Sequence, residues 1–235
     1  MSTTLDGQVI LVTGANRGLG REFVEQLLTR GAAKVYAAAR QPEPITSVDD
    51  RLVTVQLDVT DPASVARAAA AATDVSILIN NAGISQPTSV LSPDTTNLRS
   101  ELEVNLFGPL QVTAAFAPSI TERKGAVVNV ASVLSWYGLG ASYSVSKAAL
   151  WSATDSMRLE LHSLGVHVLG VYMGYVDTDM TAGVTAPKAT PAEIVSQVLD
   201  GLQTGAHEVL ADRIARDVRA KLSLPVSERY AGFLG

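Results

Sequence analysis

The chain has 235 residues, of which 47% are hydrophobic and 17% charged, so it can bury a large core and is not intrinsically disordered over most of its length. Its 18 basic and 23 acidic residues give a formal net charge of −5, which argues against a nucleic-acid-binding protein. Because there are no cysteines, disulfides, thiol nucleophiles and cysteine-ligated metal sites are excluded. We find neither a targeting signal nor an apolar run suited to a membrane helix, and we expect a cytoplasmic protein.

Short β-branched segments alternate with longer helical segments along the chain. The predicted strands are residues 8–13, 34–39, 52–57, 76–79, 126–131, 166–171 and 207–211. The predicted helices are residues 19–30, a helix opened by Asp61 and Pro62, residues 97–120 and residues 143–164. Several strands are continuously apolar, which is typical of parallel strands covered by helices on both faces. The pattern predicts a Rossmann-type, doubly wound α/β fold of about seven parallel strands, as a single domain over residues 1–235.

A glycine-rich turn joins the first predicted strand to the first helix and contains Gly14, Asn16, Arg17, Gly18, Leu19 and Gly20. Glycines here permit a tight turn and a close approach of the backbone to a pyrophosphate, which the helix N-terminus binds through free N–H groups. The spacing is GxxxGxG rather than GxGxxG, and a turn that binds no ligand is the alternative. The strand before it and the amphipathic helix after it favour nucleotide binding.

The end of the second predicted strand indicates which dinucleotide binds. Sites that prefer NAD place an acidic residue about 20 positions beyond the glycines, on the ribose 2′-hydroxyl. Here Arg40 stands at that place, and Arg17 lies in the glycine-rich turn. Although both arginines could be ordinary surface residues, a guanidinium binds a 2′-phosphate that a carboxylate would repel. We therefore expect NADP(H) as the cofactor.

Tyr143 and Lys147 are four positions apart at the start of a predicted helix and therefore share one face. A phenol has a pKa of about 10 in water, and a nearby ammonium lowers that pKa toward the range where proton transfer is efficient. Taken alone, the motif is weak evidence for catalysis, because a tyrosine packed in the core and a lysine in solvent would give the same sequence pattern. Its context strengthens it: Ser132 follows a predicted strand, and Asn105 interrupts an apolar helix.

This ordered set of motifs resembles the short-chain dehydrogenase/reductase family from Thr13 to about Met180. The resemblance implies that Tyr143 is the catalytic acid/base and that Lys147 holds the nicotinamide ribose and lowers the tyrosine pKa. It implies that Ser132 orients the substrate oxygen and that Asn105 supports a proton relay. The implied cofactor-binding residues are Gly14, Asn16, Arg17, Gly18, Leu19, Gly20, Arg40, Asp58, Val59, Asn81, Ala82, Gly83, Tyr143, Lys147, Gly174, Val176 and Thr178, with Asn80 stabilising the sheet.

Two positions depart from the family pattern. Met173-Gly174 stands where the family usually has Pro-Gly, which leaves the stiffness of that turn open. The interval from Ser132 to Tyr143 is 11 positions, slightly short for the family, so Ser135 remains an alternative catalytic serine.

The resemblance places the substrate pocket around an apolar, partly aromatic set: Leu134, Trp136, Tyr137, Met173 and Tyr175. We expect residues 181–191 to form a short, mobile loop over this pocket and residues 41–50 to form a surface loop. The expected reaction is NADPH-dependent reduction of a ketone or aldehyde, in a homodimer or homotetramer. The alternatives are a family member with a dedicated steroid, sugar or acyl-carrier substrate, and a non-catalytic NADP-binding sensor or scaffold.

The three histidines, His162, His167 and His207, are scattered along the sequence and lack metal-ligand spacing. We therefore expect structural or surface roles for them, and no metal site.

Overall fold

The computed structural model describes residues 3–42 and 49–234, so most of the surface loop predicted over residues 41–50 lies outside the described residues. Seven strands pair in parallel in one sheet, in the order β3-β2-β1-β4-β5-β6-β7. They are β1 (Val9–Thr13), β2 (Lys34–Ala39), β3 (Leu52–Gln56), β4 (Ile77–Asn80), β5 (Ala126–Val130), β6 (His167–Tyr172) and β7 (Glu208–Leu210). The predicted doubly wound fold is confirmed, and each strand end lies within one residue of its predicted position.

Nine α-helices connect and flank these strands in the described part of the chain. They are α1 (Gly18–Thr29), α2 (Pro62–Ala71), α3 (Thr96–Leu102), α4 (Gly108–Glu122), α5 (Ser142–His162), α6 (Pro191–Thr204), α7 (Arg213–Ala220), α8 (Val226–Arg229) and α9 (Ala231–Leu234). The predicted start of α2 is confirmed, because the Asp61 carboxylate accepts the Ala63 N–H at 2.9 Å. Within residues 3–42 and 49–234, no helix combines the length and apolarity that crossing a bilayer requires.

The helix predicted over residues 97–120 is interrupted. A π-helical turn over Glu103–Phe107 joins α3 to α4, and Asn105 lies in it with no exposed surface. Such a turn inserts one residue into the helical ladder and is frequent at functional sites. It brings the side chain of Asn105 toward the segment that follows β4, as its hydrogen bonds show below.

The apolar strands are buried on both faces, as their continuous hydrophobicity predicts. Successive residues of β1 alternate between two cores: Ile10 and Val12 belong to the cluster beneath α1 and α6, and Leu11 belongs to the cluster beneath α2 and α4. Phe116 of α4 is 1% exposed in this second cluster. A central strand that contributes to both layers links them into one hydrophobic unit.

The strand order reverses between β1 and β4, and this reversal defines where a ligand binds in an open α/β sheet. All seven strands point the same way, so their carboxyl ends meet at one edge. The glycine-rich turn follows β1, residues 81–83 follow β4, Ser132 follows β5 and residues 173–178 follow β6. The motifs that are far apart in sequence are therefore neighbours at this edge.

Truncation of Phe116 tests the contribution of the second core. We expect Phe116→Ala to lower the free energy of unfolding by about 3–5 kcal/mol, because it removes a fully buried ring and leaves a cavity. Phe233→Ala is the matched control: that ring is 63% exposed, and its loss should change stability by less than about 0.5 kcal/mol. Urea unfolding followed by circular dichroism measures both, and equal effects would contradict this description of the core.

Candidate active site

The start of α5, which carries Tyr143, is fixed by the backbone around it. Ala141 has φ of 49° and ψ of −123°, a region that residues with a side chain rarely adopt. The next residue, Ser142, donates its N–H to the carbonyl of Thr88 at 3.1 Å and accepts the Thr88 N–H on its Oγ at 2.9 Å. This reciprocal pair satisfies an orphan donor at the helix N-terminus. Tyr143 is therefore presented by a strained but well-anchored turn.

The ring of Tyr143 is half-buried, and its surroundings favour the protonated phenol. Burial raises the pKa of Tyr143 well above its usual value, a hydrogen bond with Ser132 acts in the opposite direction, and the charge of Glu101 raises the pKa further. The Lys147 ammonium lies 5.8 Å from the ring centroid. The tyrosine pKa in this chain thus moves opposite to our expectation from Lys147, because the loss of hydration outweighs the favourable interactions of the phenolate.

Lys147 is itself nearly enclosed, with 4% of its surface exposed. Its Nζ donates to the carbonyl oxygen of Val130 at 2.9 Å, at the end of β5. Burial lowers the pKa of Lys147 to about 8, because the ammonium loses hydration. The side chain lies between the sheet edge and the ring of Tyr143.

Of the two candidate serines, Ser132 has the geometry of a site residue. It lies two residues beyond the end of β5, its Oγ accepts the Leu134 N–H at 3.1 Å, and its hydroxyl interacts with the Tyr143 phenol. The Ser135 hydroxyl is buried and has no hydrogen-bond partner among the described residues. The arrangement favours Ser132 as the hydroxyl that faces the substrate.

Asn105 connects two segments of the site. Its Oδ1 accepts the Ile84 N–H at 2.9 Å, and its Nδ2 donates to the Ile84 carbonyl at 2.9 Å and to Ser146 Oγ at 3.0 Å. Ser146 in turn donates to the carbonyl of Tyr143 at 2.9 Å. The amide thereby fixes the segment after β4 against the first turn of α5. Its part in a proton relay stays a prediction.

The glycine-rich turn is shaped for close backbone approach. Gly14 and Gly18 have φ of 65° and 52°, and a Cβ on Gly20 would lie 2.1 Å from the carbonyl oxygen of Gly14. Asn81 braces the turn, because its Nδ2 donates to the carbonyls of Thr13 at 2.9 Å and Gly14 at 3.2 Å. Replacement of Gly20 by any larger residue would force the turn open.

Basic side chains flank the turn. Arg17 is exposed and its guanidinium lies 3.4 Å from the Asp179 carboxylate, an exposed pair that stabilises little and opens easily. Arg40, also exposed, follows β2 beside Asp58. Burial alone would raise the pKa of Asp58, but hydrogen bonds from Thr60 and the charge of Arg40 lower it overall. No acidic residue stands at the end of β2, although both guanidinium groups have a carboxylate nearby.

The turn after β6 is stiffened by a residue that the sequence analysis missed. Asp212 accepts the Gly174 N–H on one carboxylate oxygen and the Ala215 N–H on the other at 2.7 Å, so it caps α7 and holds the Met173-Gly174 turn together. This contact restrains the turn whose stiffness the Met173-Gly174 sequence left open. The signal available in the sequence was an aspartate directly before a helical segment.

The loop predicted over residues 181–191 is fastened at its far end. Ala189 forms a parallel bridge with Val176, accepts the Asp177 N–H at 2.9 Å and donates to the carbonyl of Tyr175 at 2.9 Å. Thr178 lies against the glycine-rich turn, since a Cβ on Gly18 would meet its methyl carbon at 3.2 Å. The residues expected at the nicotinamide end therefore border the turn, and the mobility of the loop stays a prediction.

Two of the five predicted pocket residues belong to the core instead. Trp136 is 5% exposed, stacks on Tyr172 with ring centroids 4.3 Å apart, and meets Trp151 edge-on at 6.1 Å. Met173 is also 5% exposed and packs in the cluster beneath α6. Our assignment of these two side chains to the pocket was wrong, because the loop after β5 turns Trp136 inward beneath α7 and Met173, after β6, packs beneath α6. Tyr175 is 42% exposed and remains available to a ligand.

The C-terminal segment covers the outer side of the same loop. The Tyr137 hydroxyl donates to the carbonyl of Arg229 at 2.7 Å, and its ring lies 5.0 Å from that of Tyr230. The Tyr230 hydroxyl accepts the Gly138 N–H at 3.0 Å. Leu134, on the inner side of the loop, packs against the Trp136 cluster. No motif in the sequence indicated that Tyr230 borders the expected pocket.

The histidines are closer together than their sequence positions suggest. His162, His167 and His207 line one small cavity together with Arg158, and the rings of His167 and His207 are 5.6 Å apart. Although they are separated in the sequence, the pairing of β6 with β7 brings His167 and His207 together, and His162 joins them from the end of α5. Among the described residues no group of side chains is arranged to hold a metal ion.

Replacement of Ala141 tests the strained turn before Tyr143. Glycine adopts this conformation without steric cost, so Ala141→Gly removes strain of about 1–3 kcal/mol while adding about 0.5–1 kcal/mol of unfolded-state entropy. We expect a net gain of about 1 kcal/mol in the free energy of unfolding. Ala153→Gly, in the middle of α5, is the control and should lose about 1 kcal/mol. Denaturant unfolding of both variants gives the comparison; a loss at both positions would show that Ala141 is unstrained.

Comparisons with known proteins agree with this arrangement. The sequence profile of the short chain dehydrogenases matches residues 8–189. The 3-oxoacyl-(acyl-carrier-protein) reductase of Escherichia coli is 33% identical over 215 residues, which cover 87% of each chain. A short chain dehydrogenase from Burkholderia cenocepacia, solved in complex with NADP, is 41% identical with a TM-score of 0.94 and covers 99% of this chain and 100% of its own.

A second solved structure, an NADPH-bound carbonyl reductase from chicken fatty liver, is 30% identical with a TM-score of 0.79; the match covers 86% of this chain and 93% of that one. The family match extends over most of the chain and includes the glycine-rich turn, Ser132, Tyr143 and Lys147. The chain belongs to the short-chain dehydrogenase/reductase family of oxidoreductases.

Proposed function

We propose that this protein reduces ketones or aldehydes to alcohols with NADPH, in a reversible reaction. The observation that carries the proposal is the convergence of Ser132, Tyr143 and Lys147 at the carboxyl edge of the sheet, beside the glycine-rich turn. Ligands of open α/β sheets bind at this edge. A non-catalytic sensor would not need a buried lysine against a half-buried tyrosine, so the enzymatic alternative is favoured.

The residues present fit a phosphorylated dinucleotide. Gly14, Gly18 and Gly20 leave a cradle that Cβ atoms would fill, at the N-terminus of α1. Arg17 and Arg40 supply exposed guanidinium groups, and no acidic residue ends β2 to repel a 2′-phosphate. The Burkholderia and chicken relatives, whose structures hold NADP and NADPH, support the same choice.

The roles of the chain's own groups follow from their chemistry. The hydroxyls of Ser132 and Tyr143 hold the carbonyl oxygen, and Tyr143 delivers a proton to it. Burial keeps this phenol protonated, which suits an acid. Lys147 places a positive charge near the ring and holds the ribose, and the fixed geometry lowers the entropic cost of reaction. When bound, the cofactor supplies the hydride.

Two substrate classes are consistent with the family. Leu139, Tyr175 and Met180 expose apolar surface in the loops around the site, which favours uncharged carbonyl compounds. The similarity to the E. coli 3-oxoacyl-(acyl-carrier-protein) reductase favours a 3-oxoacyl thioester as the second candidate. Rates measured with simple ketones, aldehydes and 3-oxoacyl thioesters of matched chain length distinguish the two classes.

We also propose that the protein forms a homodimer or homotetramer through its long helices. Leu110 on α4 and Val145 and Leu159 on α5 are 36%, 42% and 79% exposed, and a second copy of the chain would cover this apolar surface. Light scattering coupled to gel filtration gives the mass of the assembly and tests this proposal.

Removal of the Tyr143 hydroxyl tests the proposed acid. We expect Tyr143→Phe to reduce kcat by at least about 1000-fold, since no other group is placed to deliver the proton. NADPH affinity, measured by fluorescence titration, should change by less than about threefold because the ring is retained. Tyr137→Phe is the control for removal of a phenol nearby. Normal turnover by Tyr143→Phe would remove this tyrosine from the mechanism.

Replacement of the two arginines tests cofactor choice. We expect Arg40→Ser and Arg17→Ser each to weaken NADPH binding by about tenfold or more, because each removes a charge-assisted contact to the 2′-phosphate. NADH binding, which involves no such phosphate, should change by less than about threefold. Arg67→Ser, an exposed arginine of α2, is the control. If the wild-type chain prefers NADH, the assignment of both arginines is wrong.

A further inference from the structure

Three polar side chains, each one helical turn from the next, bind the segment that follows β4. We call residues 84–88 the strap. Asn97 donates to Thr88 Oγ1 at 2.8 Å, Glu101 accepts the Gln86 N–H at 2.7 Å, and Asn105 binds both backbone groups of Ile84 at 2.9 Å. These three side chains share one helix face because their spacing is i, i+4 and i+8. Every second residue of the strap is therefore attached to the helix.

Glu101 is the unexpected member of this set. It has no exposed surface, although the burial of a charged carboxyl group costs hydration free energy. One oxygen holds the Gln86 N–H, and the second is buried with no hydrogen-bond partner among the described residues. An apolar residue here would leave the Gln86 N–H without this acceptor, so the side chain at position 101 holds the strap as well as filling space.

The strap continues to the catalytic helix. Thr88, its last residue, exchanges two hydrogen bonds with Ser142, the first residue of α5, and Tyr143 follows directly. At the other end, Asn105 reaches Ser146, which bonds to the Tyr143 carbonyl. Glu101 lies between these two connections. A shift of the strap would therefore move the first turn of α5.

We propose that Glu101 is a positioning residue for Tyr143: one carboxylate oxygen holds the strap, and the strap fixes the first turn of α5. Only the effect of Glu101 on catalysis rests on the proposed function. The attachment of α5 to α3 through the strap is a property of the chain itself.

Three groups on the elements around Tyr143 affect the pKa or the electrostatic surroundings of its phenol. Lys147 on α5 contributes a positive charge, Ser132 after β5 contributes a hydroxyl, and Glu101 on α3 contributes a carboxyl. Among these, Glu101 favours the protonated phenol, and it raises the pKa of Tyr143 in addition to the effect of burial. Removal of its charge should let the phenol ionise at a lower pH.

Two substitutions separate the positioning effect from the charge effect. Glu101→Gln keeps an oxygen that can accept the Gln86 N–H and removes the charge. Glu101→Met keeps a side chain of similar volume and removes both the acceptor oxygen and the charge. Glu103→Gln, at an exposed position on the same helical segment, is the control for loss of one acidic charge.

Amide hydrogen exchange of the free protein gives a readout that requires no activity. We expect Glu101→Met to speed exchange at Gln86 and at Ser142 by about tenfold or more, because the strap loses its central attachment. Glu101→Gln and Glu103→Gln should exchange like the wild type at both amides. Unchanged exchange at Ser142 in Glu101→Met would overturn the positioning role, whether or not the protein reduces carbonyl compounds.

The pH dependence of reduction tests the charge. With NADPH and a ketone that the wild type accepts, we expect the alkaline limb of kcat/KM for Glu101→Gln to move down by about half a pH unit or more. Glu103→Gln should leave the limb in place, and NADPH affinity should stay within about threefold in all variants. An unmoved limb in Glu101→Gln would overturn the charge effect, while absence of wild-type turnover would instead contradict the proposed function.

Discussion

The parallel pairing of β1 with β4 is the constraint on which the site depends. It creates the reversal in strand order and places the glycine-rich turn next to residues 81–83. Asn81 and Ala82 then bond to Thr13 and tie the two strand ends together. Ser132 and residues 173–178, which come later in the chain, lie at the sheet edge that this pairing defines. A slip in the register would separate the cradle for a dinucleotide from Tyr143.

The fold was predictable because its strands are apolar on both faces. In addition, some boundaries between elements carry strong local signals, such as Asp61 before α2. The motif residues were predictable as a set, because their positions relative to strand ends are dictated by a parallel sheet. Trp136 was misplaced because an aromatic residue in a loop looks the same whether it faces a pocket or the core. Tyr230 was missed because its contact with Gly138 joins residues 92 positions apart, which no local pattern encodes.

Polar side chains buried near the sheet edge act mainly on backbone groups or on one another, so few of them lack a partner. Asn80 donates to Asn129 at 2.9 Å, and Asn129 donates to Thr154 at 2.9 Å, which links β4, β5 and α5 through the core. Asn105 and Glu101 likewise accept backbone N–H groups of the strap. This buried network costs hydration but makes the position of Tyr143 unique, which a purely apolar core would specify less strictly.

The attachment of the C-terminal segment to the loop after β5 bears on how substrate preference can change. Tyr137 and Gly138 lie on one side of that contact and Arg229 and Tyr230 on the other, while the catalytic groups take no part in it. Mutations in the tail can therefore reshape the loop after β5 without replacing Tyr143 or Lys147. Divergence among descendants of this gene should accumulate there, and combinatorial libraries aimed at new ketones should vary both sides together.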